Sequence, residues 1–228
     1  MKQQTLLTAV LVACFAGFCS QISYAQEKPQ PKNLFAQRDL AKWDFHVAEK
    51  DVKVGDVFSF DNDGVLSCTG KPFGYLATPS IYKNYKLSLE YAWPDGVEPT
   101  NSGVFLRINS QPKESFLPRG IEAQLHHGNA GDLWAFHGMR IDGPKDRHTD
   151  TTNPEIGPLC GVKKIEDAEK QPGQWNLVEI LVVDSLVVVS VNGKIVNWTN
   201  QAETTPGKVG LQSEGGPIKF RNFILTEL

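Results

Sequence analysis

Glu122, Gln124 and His126 alternate with Ile121, Ala123 and Leu125 in one short segment. Successive side chains of a strand point to opposite faces, so an acid, an amide and an imidazole share one face and three apolar groups the other. Such a strand reads as the floor of a polar site. Glu122 could serve there as a general base or as a metal-binding carboxylate. Its plainer reading is a surface acid paired to a nearby arginine, Arg107 or Arg119. Arg107 shares a face with Gly103 and Phe105 in an earlier strand-like segment, from which it would meet Glu122 across a sheet. Gln212 and Glu214 share a face of a later segment. If these strands are neighbours, one face gathers acids, amides, Arg and His. A sugar or polyol site needs such fixed donors and acceptors beside an aromatic platform, a part that Trp134 could take.

Other chemistries leave no trace. There is no GxSxG nucleophile elbow, no phosphate-binding loop and no dinucleotide fingerprint. The ExDxE arrangement of sandwich-fold glucanases is also absent. Its counterpart would be Glu122-Ala123-Gln124-Leu125-His126, with a single carboxylate. Ordinary glycosidases use two carboxylates flanking the scissile bond. His126, His137, Glu122 and Asp132 could converge, but no HxH or HExxH spacing supports a zinc site. A divalent cation is left open, and no cofactor is assigned.

The elements that must carry these residues are strands. Residues 57–60, 65–68, 75–78, 85–91, 104–108, 121–125, 175–183, 186–191, 194–198, 209–214 and 218–225 read as strands separated by turn residues. Asn192-Gly193 is a favoured two-residue hairpin turn. No segment keeps a helical period, and only residues 163–170 suggest a short helical turn. The expected fold is therefore all-β, a jelly-roll β-sandwich of two antiparallel sheets. The Gly- and Pro-interrupted interval 139–174 breaks the rhythm and reads as a wall or lid over the polar face.

Residues 1–25 read as a signal peptide, with Lys2 ahead of an apolar run and Ser23-Tyr24-Ala25 as the cleavage site. The run is too short to span a membrane. Leu11-Val12-Ala13-Cys14 resembles a lipobox, but the apolar run continues past Cys14, so an exported, periplasmic or extracellular protein is expected over a lipoprotein. Residues 26–33 read as a flexible leader, and 34–228 as one domain. A formal net charge of −3 with mixed signs argues against nucleic acid and against an anionic membrane surface. Cys68 and Cys160 are the two cysteines outside the signal, and they read as separate thiols more readily than as a disulfide.

An ordered set of short motifs resembles the 3-keto-disaccharide hydrolase domain family, also described as 3-keto-glucoside-1,2-lyase / 3-keto-2-hydroxy-glucal hydratase. The set includes Gly74-Tyr75-Leu76-Ala77-Thr78, Asn101-Ser102-Gly103-Val104-Phe105-Leu106-Arg107, Ile121-Glu122-Ala123-Gln124-Leu125, Gly131-Asp132-Leu133 and Gly173-Gln174-Trp175-Asn176. It ends with Gly210-Leu211-Gln212-Ser213-Glu214-Gly215-Gly216-Pro217. The chain departs from many relatives at His126-His127-Gly128-Asn129. The resemblance implies a concanavalin A-like sandwich and an exported carbohydrate enzyme. A C3 ketone acidifies the C2 proton, a base removes it, the C1 group leaves by β-elimination, and water then adds.

Under that resemblance Glu122 or His126 is the expected base, and Arg107 or a bound cation steadies the enediolate. Asn101, Gln124, Asp132, Trp134, Gln212 and Glu214 are the expected sugar contacts. The substrate would be an oligosaccharide or glycoside, with a functional link to a sugar 3-dehydrogenase. Three rivals stand beside it: a non-catalytic sugar-binding module, an endo-acting glycosidase with Asp132 or Glu214 as second carboxylate, and an adhesion domain.

Overall fold

The computed structural model describes residues 29–111, 115–154 and 156–228; the proposed signal peptide lies outside them. The first strands are β1 (Lys32–Asn33), β2 (Asp44–Val47), β3 (Phe58–Phe60), β4 (Leu66–Cys68) and β5 (Gly74–Ala77). The middle of the chain gives β6 (Tyr85–Ala92), β7 (Gly103–Ser110), β8 (Arg119–Gln124), β9 (Leu133–Phe136), β10 (His148–Asn153) and β11 (Gly157–Val162). The last are β12 (Asn176–Val183), β13 (Leu186–Val191), β14 (Lys194–Thr199), β15 (Lys208–Ser213) and β16 (Ile218–Glu227).

They form two antiparallel sheets packed face to face as a jelly-roll β-sandwich. The back sheet runs β14-β13-β12-β6-β16-β4-β3, with β1 added on β16. The front sheet runs β10-β11-β9-β8-β7-β15-β5-β2. Period-two alternation explains the packing. Tyr85, Leu87, Leu89 and Tyr91 of β6 and Val178, Ile180 and Val182 of β12 point inward from the back sheet. Val104, Leu106, Ile121, Ala123, Leu133 and Leu211 meet them from the front sheet, in one continuous core. A buried aliphatic side chain of this size stabilises by about 1.5–3 kcal/mol. A one-residue slip of β8 would bury Glu122 in that core, so its register is strongly specified. The Asn192-Gly193 turn has φ of 52° and 82°, the pair of positive values that a two-residue type I′ hairpin needs.

The outer face of the front sheet carries its own small apolar cluster, built on Tyr75, Ala77, Phe105, Ile108, Leu117 and Phe136. Phe116 and Leu117 of the β7–β8 connection pack on it. Ser115 anchors that connection: its carbonyl accepts from Gln111 Nε2 at 2.6 Å and lies 3.1 Å from His46 Nε2. Its hydroxyl is 3.0 Å from His137 Nε2.

Several expectations need correction. Lys32 and Asn33 of the supposed flexible leader pair with Leu225 and Ile224, because adding a strand to a sheet needs backbone groups and not apolar side chains. The interval 139–174 is not simply a loop. It contains the β10–β11 hairpin, which extends the front sheet. Residues 163–170 form no helix, and the strand read at 57–60 starts one residue late, after a single α-helical turn, Val54–Val57. As expected, Cys68 and Cys160 are separate buried thiols; they sit on different sheets, and burial raises the Cys68 pKa to about 11.

Candidate active site

The middle strands of the front sheet place Glu122 opposite Phe105 on one side and Trp134 on the other. Two glycines make room for these side chains. A Cβ at Gly103 would overlap Glu122 Oε1, so the Glu122 carboxylate lies over the bare backbone of β7. A Cβ at Gly161 would come within 2.6 Å of Trp134 Cε3, so the indole lies over β11. Glu122 and Trp134 thus lean away from each other, and a cavity of about 190 Å³ opens beside them. Its polar lining is Asn101, Glu122, Gln124, Gln212 and Glu214. Its apolar walls are Phe116, Leu117, Trp134, Phe136, Ile156 and Leu159. A few polar groups converging inside an apolar, aromatic wall is the general form of a small-molecule site.

The polar groups are poised and unsatisfied. Glu122 and Gln212 are each 1% exposed. Asn101 Oδ1, Glu122 Oε1 and Gln212 Oε1 are buried with no hydrogen-bond partner. Buried polar atoms are rarely left unpaired, and three in one cavity make it a candidate ligand site. Burial pushes the Glu122 carboxyl well above the usual carboxylate range, and the nearby charge of Glu214 adds to the push. Glu214 is less deeply placed. Burial raises its pKa too, but a hydrogen bond from the Asn101 side chain opposes the rise. Two carboxyl groups in one cavity, pushed apart by their surroundings, can divide acid and base roles.

Of the nine residues expected at the site, Asn101, Glu122, Gln124, Trp134, Gln212 and Glu214 line this cavity. Arg107, His126 and Asp132 do not. Arg107 sits at a β-bulge with φ of 56°, where the β7–β8 and β7–β15 registers shift. The extra residue reverses the alternation, so Ile108 joins the outer cluster while Arg107 turns inward. There its guanidinium is fully buried and donates to the carbonyls of Asp184 and Glu203. Arg119 is also engaged, paired with Glu203 at 2.9 Å. Neither arginine is the partner of Glu122.

β8 ends at Gln124, whose Oε1 accepts the backbone N–H groups of Leu125 and His126 at 3.1 and 3.0 Å. The chain then leaves the sheet, so His126 is exposed on the loop, 3.1 Å from Asn129 Nδ2. Asp132 fastens that loop by accepting from Lys164 N at 2.7 Å. Among the described residues, no three His, Cys, Asp or Glu side chains gather as a metal site.

Sequence reasoning missed the walls. Phe136 follows Trp134 by two residues and was open to the same period-two argument. Ile156 and Leu159 come from the interval read as a wall, and they do form one. Phe116 and Leu117 lie in a connection with no periodic signal.

Residues 30–226 match the model of the 3-keto-alpha-glucoside-1,2-lyase-like domain, and the chain belongs to that family. No curated protein matches it. A protein of Parabacteroides distasonis ATCC 8503, provisionally assigned as a glycosyl hydrolase, has a similar structure (TM-score 0.60, 21% identity, 87% of this chain and 100% of that one). The carbohydrate-binding module CBM66 from Bacillus subtilis is also similar (TM-score 0.57, 9% identity, 82% and 96%). So is LamAcat from Zobellia galactanivorans (TM-score 0.54, 11% identity, 89% and 98%). At these identities the three structures speak for the sandwich fold alone.

Proposed function

We propose that this protein is an exported enzyme that cleaves 3-keto-glycosides by C2 proton abstraction and β-elimination, followed by hydration. Family membership supports a glycoside-acting enzyme. The observation that carries the finer reading is the buried, unpaired Glu122 beside Glu214 in one aromatic-walled cavity. Elimination next to a ketone needs a base for an acidified C–H and a group that steadies the developing oxyanion. Trp134 offers the sugar ring an apolar face, and Asn101, Gln124 and Gln212 offer hydrogen bonds to its hydroxyls. A sugar 3-dehydrogenase would supply the substrate, and the N-terminal segment fits action outside the cytoplasm.

Glu214 also favours a second reading. A conventional glycosidase needs a second carboxylate beside Glu122, and the cavity contains one. The purified protein should be offered a plain disaccharide and its 3-keto form, with and without chelator. Cleavage of the keto form only supports elimination. Cleavage of the plain form supports the glycosidase, and cleavage of neither supports a binding module.

A further inference from the structure

We propose that Glu122 works as a neutral carboxylic acid that hydrogen-bonds the C3 oxygen of the substrate, while Glu214 is the carboxylate that removes the C2 proton. The assignment rests on the elimination reading and settles a part which that reading leaves open, the source of oxyanion stabilisation. Arg107 was the natural candidate, but its guanidinium is spent on two backbone carbonyls. Arg119 is held by Glu203. Among the described residues, no Lys, Arg or His lines the cavity.

Glu122 shares with Gln212 the deepest place among the polar groups of the cavity, and its carboxyl has an oxygen free to engage a ligand. Its Oε1 lies against the bare backbone of Gly103 with no partner. Strand neighbours Phe105 and Trp134 offer it no counter-charge. An ionised carboxylate so placed is costly, whereas a neutral one needs only a hydrogen-bond acceptor. A substrate carbonyl that becomes an enediolate oxygen provides that acceptor, most strongly in the transition state. Glu214 differs in burial and in having a hydrogen-bond donor. It is only partly buried, and Asn101 donates to it, which favours its charged form.

Glu214 takes the C2 proton, and the C2–H electron pair forms the C2=C3 bond of the enediolate. The C3 oxygen gains the carbonyl π pair and accepts the Glu122 O–H hydrogen bond. The C3 carbonyl then re-forms, the C2=C3 pair moves to C1=C2, and the C1–O bond breaks. The leaving oxygen takes its proton from Glu214, which returns Glu214 to its starting carboxylate. The products are the free alcohol and the 3-keto-2-hydroxy-glucal, to which water then adds.

The test is elimination of a 3-keto-glucoside by the wild-type protein and by Glu122→Gln, Glu122→Leu and Glu214→Gln, over a range of pH. Glu214 is the one other ionisable side chain lining the cavity among the described residues, so the two groups shape the profile as a coupled pair. Wild-type kcat/KM should rise as Glu214 ionises and fall as Glu122 ionises. Glu122→Gln keeps an N–H donor; it should stay within about tenfold of wild type and lose the falling limb. Glu122→Leu should lose roughly 10²–10³-fold. Glu214→Gln should lose about 10²–10⁴-fold, the usual weight of a general base. A dead Glu122→Gln beside a near-normal Glu214→Gln overturns the assignment. If a variant fails to fold, the wild-type profile still decides, and a rate that keeps rising with pH contradicts a neutral Glu122. Wild-type protein that leaves the keto sugar intact overturns the elimination reading itself.

Discussion

Two glutamates of this sandwich have side chains shielded from solvent and are treated in opposite ways. The Glu169 side chain is 2% exposed and accepts from Tyr91 Oη at 2.9 Å, Trp93 Nε1 at 3.1 Å and Gly128 N at 2.9 Å. His127 Nδ1 lies 2.9 Å from Oε2, the oxygen that also accepts from Gly128. Those bonds tie the 163–174 loop to β6 and to the loop carrying His126. Glu122 is 1% exposed, but its Oε1 has no partner and its nearest ionisable neighbour in the cavity is another acid. A satisfied buried carboxylate fixes structure, whereas an unsatisfied one stores free energy that a ligand can release. Burial alone therefore says little about role; the hydrogen-bond inventory separates the clamp from the site.

Substitutions should widen that contrast. Glu169→Ala leaves Tyr91 Oη, Trp93 Nε1 and Gly128 N without their acceptor. At about 1–3 kcal/mol per abandoned buried group, it should cost on the order of 3–5 kcal/mol in a denaturant melt. Gly103→Ala puts a methyl group where Glu122 Oε1 lies. The carboxyl must move, and activity should fall by roughly 100-fold, as misplacement of about 1 Å can do, in protein that circular dichroism shows to be folded.

Glu122→Gln should do the reverse of Glu169→Ala and leave stability unchanged or raise it by up to about 2 kcal/mol at neutral pH. The sign follows from the raised carboxyl pKa. The folded state holds the Glu122 proton more tightly than the unfolded chain does. The stability due to that proton is fully present below about pH 4.3 and is lost as pH rises through the folded-state value. The advantage of Glu122→Gln over wild type should therefore grow with pH across that window, as paired melts at several pH values would record. His126→Ala should have the smallest effect, within about twofold of wild-type kcat/KM, since the imidazole is exposed and lines no part of the cavity. A larger loss in a steady-state assay would return His126 to the site.

The two-sheet architecture was legible because alternation in β6, β8 and β12 is strict and the Asn192-Gly193 turn has only one good conformation. Glu122, Gln124, Gln212 and Glu214 were legible for the same reason. Arg107 was misplaced because period-two reasoning carries no information about a bulge, which depends on one positive φ and on the space at Gly207. His126 was misplaced because its strand stops two residues earlier, where Gln124 turns its own side chain back on the chain. β10 escaped notice because an edge strand of His, Thr, Asp and Asn pairs through its backbone without any apolar period. The glycine relief at Gly103 and Gly161 is a property of neighbouring strands and cannot be read from either segment alone.

The most direct test of elimination at Glu122 and Glu214 is to follow a 3-keto-glucoside with the wild-type protein in deuterated water by proton magnetic resonance. The account predicts release of the aglycone, transient 3-keto-2-hydroxy-glucal, and deuterium at C2 of the hydrated sugar beyond that of an enzyme-free control. Release of the aglycone with the C2 hydrogen fully retained, or equal cleavage of a plain glucoside, would contradict it.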